Sequence, residues 1–302
     1  MLFHPDRLSF GIVLPAQPRT AADIQFATQL GIATHADKLG FDALWVRDVP
    51  LNSDSYLDPI GHADPWVFLG ALAAVTSNIN LATGAIVLPL RHPLHIAKAA
   101  LSVASLSKGR LVLGLGSGDR PSEYDVFGED IENRKVLFQS HWDRLAVALS
   151  PDQKVVDEGG RVRNEFAIRP ALQQPSIPLV AVGSSSQSLE WIARHATAWM
   201  TYYRPLPVQK DRLALWHNAR AKVTTDFRGF GQSMVLELLD NPQASYEEIN
   251  LGGRTGRRGL IDALSAMREA GIHHVAFNLV IQGRPVGDVL EEIAADILPA
   301  LQ

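Results

Sequence analysis

The hydrophobic positions of this chain form two alternating kinds of segment. Short apolar runs without polar alternation are typical of strands that are buried on both faces of a parallel sheet. Between these runs, apolar residues recur every three or four positions, as in Leu189, Ile192, Ala193 and Ala196, which predicts amphipathic helices. The runs predict strands at residues 10–14, 43–46, 79–88, 110–115, 177–182, 198–200, 234–239 and 274–279.

A helix, a glycine and then an apolar strand recur along the chain, at residues 37–46, 105–115 and 268–277. Glycine adopts the left-handed conformation that ends a helix at low cost, and the chain then enters the sheet. Eight strand–helix alternations favour a (β/α)8 TIM barrel of class α/β over an open doubly wound sheet. The length of 302 residues suits one barrel domain over 1–302 with a short insertion.

Two segments interrupt the alternation. Residues 150–176 are rich in proline and charge, and they predict a β-hairpin-like insertion after helix four, outside the barrel. Residues 240–259 are polar, with four glycines and three arginines, and they predict a long loop that could act as a lid.

Composition and charge exclude several classes of function. A net charge of −4 and a pI near 6.2 leave no basic surface for nucleic acid. The absence of cysteine excludes disulfides, thiolate metal ligands and a thiol nucleophile, and no histidines have metal-ligand spacing. Neither a secretory leader nor a stretch of about 20 apolar residues is present, so we expect a cytoplasmic protein that does not bind membranes.

The loop from Gly183 to Ser188 is a candidate anion site. It lies between a predicted strand and a predicted helix, where exposed N–H groups and the hydroxyls of Ser184, Ser185 and Ser188 suit a phosphate. Alternatively, Ser185 or Ser186 only caps the helix.

A second candidate site follows the fourth strand, at Ser117-Gly118-Asp119-Arg120. Small residues allow a ligand to approach the backbone, and Arg120 could neutralise a phosphate or a developing anion. The alternative is a tight loop in which Asp119 pairs with Arg120. A dinucleotide-binding glycine motif is disfavoured, because Pro121 stands where its helix should be running.

Two further positions lie at the carboxyl ends of strands, where parallel α/β folds bind ligands. Gly84 and Ala85 interrupt the third strand, which indicates either close approach of a ligand or relief of packing. Arg47 and Asp48 follow the second strand, where they suit catalysis or substrate contact, or form an ion pair that closes the rim.

Taken in order, five segments resemble the luciferase-like flavin-dependent monooxygenases, which include bacterial luciferase and the alkanesulfonate monooxygenases. The resemblance extends over about residues 8–200. The segments are FGIVLP, ADKLGFDALWVRD, DPWVFLGALAAVTSNINLATGAIVLPLRHP, SLSKGRLVLGLGSGDRPSEYDVFG and VAVGSSSQSLEWIARHATAWM.

The resemblance implies a TIM barrel that binds FMN at its carboxyl-terminal face. It implies a non-prolyl cis peptide between Gly84 and Ala85 that supports the isoalloxazine ring, and it places Ser117 beside the flavin. The phosphate grip falls on the loop that begins at Gly183, at Ser184, Ser185 and Ser188.

The implied reaction is oxygenation of a small organic substrate by O2 through a C4a-peroxyflavin. A separate NAD(P)H:flavin reductase would supply the reduced FMN, and the barrels would pair as a homodimer through helices two and three. We expect Arg47, Asp48 and Arg120 to face the reaction space as catalytic groups.

The chain departs from the best-known luciferases at two positions. It lacks their reactive cysteine near Gly116, and Arg47-Asp48 stands where their histidine would follow the second strand. A deazaflavin-dependent oxidoreductase of the same fold, a non-catalytic flavin-binding protein and an unrelated TIM-barrel enzyme that binds a sugar phosphate therefore stay open. An anionic substrate such as a sulfonate and an apolar one are equally compatible with the sequence.

Overall fold

The computed structural model describes residues 2–18, 23–53, 60–173, 176–281 and 283–301. The strands are β1 (Ser9–Leu14), β2 (Ala43–Val46), β3 (Asn80–Thr83), β4 (Ile86–Val87), β5 (Leu111–Gly116), β6 (Leu179–Val182), β7 (Ala198–Tyr202), β8 (Gly229–Leu238), β9 (Glu247–Ile249), β10 (Gly252–Thr255) and β11 (His274–Leu279). The helices are α1 (Phe26–Leu39), α2 (Pro65–Val75), α3 (Pro93–Leu106), α4 (Pro121–Phe127), α5 (Arg134–Ala148), α6 (Leu189–His195), α7 (Leu206–Ala221), α8 (Arg257–Glu269) and α9 (Val286–Glu292).

Eight of these strands close into a parallel barrel in the order β1, β2, β3, β5, β6, β7, β8 and β11. Closure comes from β11, which pairs with both β8 and β1. The predicted TIM barrel is therefore confirmed. None of the helices in the described part of the chain combines the length and the apolar character that crossing a bilayer requires.

The third barrel strand is interrupted where the sequence predicts one strand over 79–88. β3 ends at Thr83 and β4 resumes at Ile86, and the peptide bond between Gly84 and Ala85 is cis, as the resemblance implies. Thr83 bridges to the neighbouring strand through its side chain, because Oγ1 donates to the Gly114 carbonyl at 2.7 Å and accepts from the Gly114 N–H at 2.8 Å. A Cβ on Gly114 would lie 1.9 Å from the Thr83 carbonyl oxygen, so this close approach requires glycine.

The amino-terminal residues of the chain fill one end of the barrel interior, and Trp45 fills its middle. Leu2 and Phe3 pack with Trp45, Met200 and other inward-facing strand residues in a core separate from the one between strands and helices. This leaves the carboxyl-terminal end of the barrel as its open end.

A buried polar chain crosses this interior. The indole Nε1–H of Trp45 donates to Nε2 of His274 at 2.9 Å, and Nδ1 of His274 lies 2.7 Å from the Ser9 hydroxyl. Because Nε2 accepts, neutral His274 carries its proton on Nδ1 and donates it to Ser9, which donates to the Leu2 carbonyl at 2.8 Å. Burial lowers the pKa of His274 from 6.5 to about 3.

This buried histidine predicts a loss of stability in mild acid. Since the folded-state pKa lies below the unfolded value, the unfolded chain takes up the proton first, and stability that is complete above pH 6.5 is lost as the pH falls towards 3. Between pH 7 and pH 5 His274 alone should remove about 2 kcal/mol from the free energy of unfolding. Urea denaturation at both pH values measures this loss, and His274→Gln should lose about 2 kcal/mol less than the wild type. Equal losses in the two proteins would refute the assignment.

The segments that interrupt the sequence pattern have different structures. Within residues 150–173, one isolated antiparallel bridge joins Val156 to Val162 around a turn at Gly160. The long polar loop predicted over 240–259 contains regular structure, because β9 and β10 form an antiparallel pair there and α8 begins at Arg257.

The β9–β10 hairpin joins the sheet beyond the end of β7. β10 runs parallel to the last residues of β8, in register from Gly252 opposite Val235 to Thr255 opposite Leu238. A Cβ on Gly252 would lie 1.8 Å from the Val235 carbonyl oxygen, which explains the glycine at this contact. A role of this hairpin as a lid stays a prediction.

Candidate functional site

The open end of the barrel is a mouth lined by the upper, inward-facing residues of the strands. Along β8, burial alternates: Met234, Leu236 and Leu238 are buried, whereas Ser233, Val235 and Glu237 are partly exposed. The partly exposed set points in the same direction as Gly231, which contacts Met200 of the interior. Solvent therefore reaches the barrel axis from the carboxyl ends of the strands, where TIM barrels bind their ligands.

One corner of the mouth brings together two hydroxyls and a guanidinium. Ser186, in the loop after β6, donates through Oγ to the Ser117 hydroxyl at 3.2 Å, and Nε of Arg134 donates to the Ser186 Oγ at 3.2 Å. Gly183, Ser185 and Ser186 all have left-handed backbone, with φ of +68°, +48° and +54°, which folds this loop back onto the end of β5. A cation and clustered hydroxyl groups suit a phosphate.

The predicted phosphate-binding serines take different positions in this loop. Ser184 is exposed, and its Oγ accepts from the Ser186 N–H at 3.3 Å. Ser185 is buried, and its hydroxyl donates to the Val182 carbonyl at 3.1 Å. Ser188 caps α6 by accepting from the Trp191 N–H at 3.2 Å, so the helix cap that the sequence offers to Ser185 or Ser186 belongs to Ser188.

Tyr124 holds the other side of this corner. Its phenol donates to the carbonyl of Ser117, and its side chain is fully buried. Burial raises the pKa of Tyr124 to about 12, so the phenol keeps its proton at neutral pH. Sequence reasoning missed Tyr124 and Arg134. Tyr124 lies in one of the five segments of the resemblance but has no local signal of a role, Arg134 lies outside those segments, and both act through residues on other elements.

Asp48 is a buried anchor of strand β4. Arg91 donates to its carboxylate through Nε and Nη2, both at 2.8 Å, and the Val87 N–H donates to Oδ2 at 3.1 Å. Arg91 also reaches Asp64 at 3.2 Å. Of the two alternatives that the sequence left open for Asp48, an ion pair at the rim is present, but its partner is Arg91 and not Arg47. The carboxylate of Asp48 fixes the wall beside Gly84 and Ala85.

Arg120 is likewise engaged with protein groups. Its side chain is 11% exposed, and Nη1 donates to the Leu51 carbonyl at 3.1 Å and to Glu123 at 3.4 Å. Burial raises the pKa of Glu123, although the nearby Arg120 charge opposes the rise. Arg120 therefore ties the loop after β5 to the loop after β2. Arg47, at the end of β2, is partly buried at the same edge of the barrel.

An ion pair lies on the opposite side of the mouth. Glu237 near the end of β8 and Arg254 on β10 are register partners, and Arg254 Nε lies 3.3 Å from Glu237 Oε1. The Glu237 side chain is 21% exposed and the Arg254 side chain is 45% exposed, so both reach solvent. Among the described residues, no three His, Cys, Asp or Glu side chains come together as metal ligands.

The residues at the ends of β3, β5 and β6 fit a flavin carrying a phosphate. Gly84, Ala85 and Gly116 leave the strand ends without bulky side chains, and a Cβ on Gly116 would lie only 3.2 Å from the Ala85 Cβ. A flat ring can approach the backbone there, and the corner formed by Ser117, Ser186 and Arg134 offers donors to a phosphate.

Comparison with known proteins decides the family. The family model for luciferase-like monooxygenases matches residues 8–264. The chain belongs to this family. The resemblance noted in the sequence is thereby confirmed.

Curated relatives match about half of this chain. The Mycobacterium tuberculosis protein Rv0953c is 32% identical over 165 residues, which are 54% of this chain and 57% of that protein. The alkanal monooxygenase alpha chain of Photorhabdus luminescens is 26% identical over 53% of this chain and 43% of its own. Limonene 1,2-monooxygenase of Rhodococcus erythropolis is 30% identical over 43% of this chain and 33% of its own. The chain thus spans about half the length, or less, of these relatives.

Solved structures of the same fold overlay nearly the whole chain. An F420-dependent secondary alcohol dehydrogenase has a TM-score of 0.79 at 16% identity and covers 98% of this chain and 99% of its own. The FMN-bound oxygenating constituent of 3,6-diketocamphane monooxygenase from Pseudomonas putida has a TM-score of 0.75 at 14% identity and covers 97% and 98%. At these identities the similarity establishes the barrel fold alone.

Proposed function

We propose that this protein is an FMN-dependent monooxygenase that oxygenates a small organic substrate with O2. A separate NAD(P)H:flavin reductase would supply the reduced flavin. The observation that carries the proposal is the junction of β3, β5 and β6, where a surface free of bulky side chains lies beside the corner of Ser117, Ser186 and Arg134.

Reduced FMN, when bound, supplies the electrons with which O2 is activated. The tasks left to the chain are to bind the flavin, keep water away from it and place the substrate beside it. Gly84, Ala85 and Gly116 would contact the ring, and Gly183, Ser184 and Ser186 with Arg134 would contact the phosphate. Ser185, which is buried, and Ser188, which caps α6, would shape the loop.

The polar residues predicted to be catalytic divide into two roles in this proposal. Asp48 and Arg120 would hold the walls of the mouth, because their charged groups are already engaged with Arg91, Glu123 and backbone atoms. Arg47 stays the proposed contact to substrate or flavin. The pair Glu237–Arg254 would face the substrate from the hairpin side, and we propose that the hairpin covers the bound substrate.

Rapid mixing tests the proposed reaction. The protein is loaded anaerobically with reduced FMN and mixed with oxygenated buffer, and flavin absorbance is followed against free reduced FMN. A monooxygenase should reoxidise its flavin with kinetics distinct from those of free FMN, and a substrate should change them further. Reoxidation indistinguishable from that of free FMN would overturn the proposal.

F420-dependent hydride transfer is the second candidate. Its support is the overlay with the F420-dependent alcohol dehydrogenase, whose TM-score of 0.79 exceeds the 0.75 of the FMN-bound monooxygenase. Equilibrium titration with F420 and with reduced FMN separates the two. Tighter binding of F420, with reduction of F420 by an alcohol, would favour this candidate.

We also propose that the barrels pair as a homodimer through α2 and α3. Leu106 on α3 is 62% exposed, and Val67 on α2 is 70% exposed. Apolar side chains left in water on these helices suit a second copy of the same surface.

A further inference from the structure

Trp45 lies directly beneath the position proposed for the flavin ring. Its indole is 2% exposed and spans the barrel interior from β1 to the end of β3. A Cβ on Gly11 would lie 2.8 Å from the indole Nε1, and a Cβ on Gly84 would lie 3.1 Å from Cε3 of the six-membered ring. The indole therefore occupies the space that a side chain at either glycine would need.

The orientation of this indole is fixed by hydrogen bonding as well as by packing. Trp45 donates to His274 at 2.9 Å, and His274 is fully buried and held on its other nitrogen by Ser9 at 2.7 Å. Phe3 packs edge-on against the imidazole, with ring centroids 5.6 Å apart. A buried indole N–H without an acceptor would cost free energy, so the indole keeps the tilt that meets His274.

Packing alone does not explain this arrangement. An aliphatic residue at 274 with a phenylalanine at 45 would fill a barrel interior without any buried polar atom. This protein instead has two hydrogen bonds in series, from Trp45 to His274 and between His274 and Ser9, which hold the edge of the indole. The three atoms nearest to a Cβ built on Gly84 all belong to this indole.

We propose that Trp45 is a positioning residue for the cofactor. Its indole supports the Gly84–Ala85 peptide from inside the barrel, and His274 and Ser9 hold the indole at a fixed depth and tilt. The inference rests on the proposed function, because it assigns the floor of that same site. The bound ring would then lie on the peptide at a depth that the indole sets, and loosening the indole would weaken binding without touching any cofactor-contacting side chain.

The experiment compares four variants of the full chain. His274→Leu removes the acceptor, His274→Gln offers a carboxamide oxygen in its place, and Trp45→Phe removes the donor. Gln232→Leu is the matched control, because Gln232 is fully buried and hydrogen-bonded on neighbouring β8 but contacts Gln209 and Met267. The measurements are Kd for reduced FMN under anaerobic conditions, the absorbance spectrum of bound oxidised FMN, and the indole N–H signals of 15N-labelled apoprotein, in which Trp45→Phe identifies the Trp45 signal.

The expected result is a tenfold or larger rise in Kd for His274→Leu and Trp45→Phe, with a shifted spectrum of bound FMN and, for His274→Leu, a displaced Trp45 indole signal. His274→Gln should return Kd to within about threefold of the wild type, and Gln232→Leu should bind like the wild type.

Several outcomes would overturn the inference. If His274→Leu and Trp45→Phe bind FMN as the wild type does, Trp45 only fills the interior, and the proposed function is unaffected. If Gln232→Leu loses affinity to the same extent, the effect is general destabilisation. If the wild type binds neither reduced FMN nor F420, the proposed function fails and this inference with it. If His274→Leu does not fold, the Kd values of Trp45→Phe and His274→Gln for reduced FMN test the inference.

Discussion

Replacing Asp48 with asparagine is expected to lower the free energy of unfolding by about 3 kcal/mol, because it breaks a buried ion pair and leaves the Arg91 guanidinium with the more exposed Asp64 as its counter-charge. The Asp48 side chain is 1% exposed and accepts two hydrogen bonds from Arg91 and one from the Val87 N–H. Asparagine offers one oxygen in place of two and turns an amide N–H2 towards a guanidinium. The Arg91 side chain is 27% exposed, so water can solvate part of its charge in the variant. The expected decrease in the free energy of unfolding therefore lies at the lower end of the range for buried ion pairs.

Urea denaturation at pH 7 measures this loss, and Asp64→Asn is the matched control. Asp64 also pairs with Arg91, at 3.2 Å, but its side chain is 43% exposed, so its removal should cost less than about 1 kcal/mol. Since Asp48 also fixes β4 beside Gly84 and Ala85, Asp48→Asn should weaken flavin binding as well. A loss of stability no larger than that of Asp64→Asn would show that the buried pair does not anchor the strand.

Replacing Arg134 with alanine is expected to raise the Kd for reduced FMN about 30-fold. The guanidinium lies at the start of α5, and its Nε donates to the Ser186 hydroxyl, which in turn meets Ser117. A charge-assisted hydrogen bond to a phosphate contributes about 2 kcal/mol, which corresponds to that factor. Riboflavin lacks the phosphate, so its affinity should change little.

Anaerobic titration of both ligands checks this prediction, and Arg194→Ala is the control. Arg194 is exposed in the last turn of α6, so its loss removes the same formal charge from a neighbouring helix without touching the corner. The phosphate assignment is contradicted if Arg134→Ala weakens FMN and riboflavin alike, or if Arg194→Ala weakens FMN to the same extent.

Local patterns in the sequence were sufficient for most of the barrel. Strands 43–46 and 274–279 lie at their predicted positions. The first is apolar throughout and the second is apolar apart from His274 and Asn278, because both faces of a barrel strand are buried. The sequence placed the start of β8 five residues late, at Met234 instead of Gly229. Residues 229–233 carry glycine and polar residues, whose burial depends on Phe3 and Met200 from distant parts of the chain.

The candidate site also contains residues that the sequence predicts and partners that only the structure reveals. Gly84, Ala85, Ser117 and the loop from Gly183 were visible as small or polar residues at the ends of apolar strands, which is a local signal. The partners that organise them were not visible, because Arg91 meets Asp48 across 43 positions and Arg134 meets Ser186 across 52.

By itself, the sequence determined the barrel and the family, because these follow from local hydrophobic periodicity and from motifs in a fixed order. It also predicted the edge at which ligands would bind. Only the tertiary structure decided which charges are engaged as anchors, that β9 and β10 form a hairpin on β8, and that Trp45 is hydrogen-bonded to His274 across 229 positions. The physical reason is that a hydrogen bond between distant residues depends on how the barrel closes. Barrel closure produces no periodic pattern in the sequence.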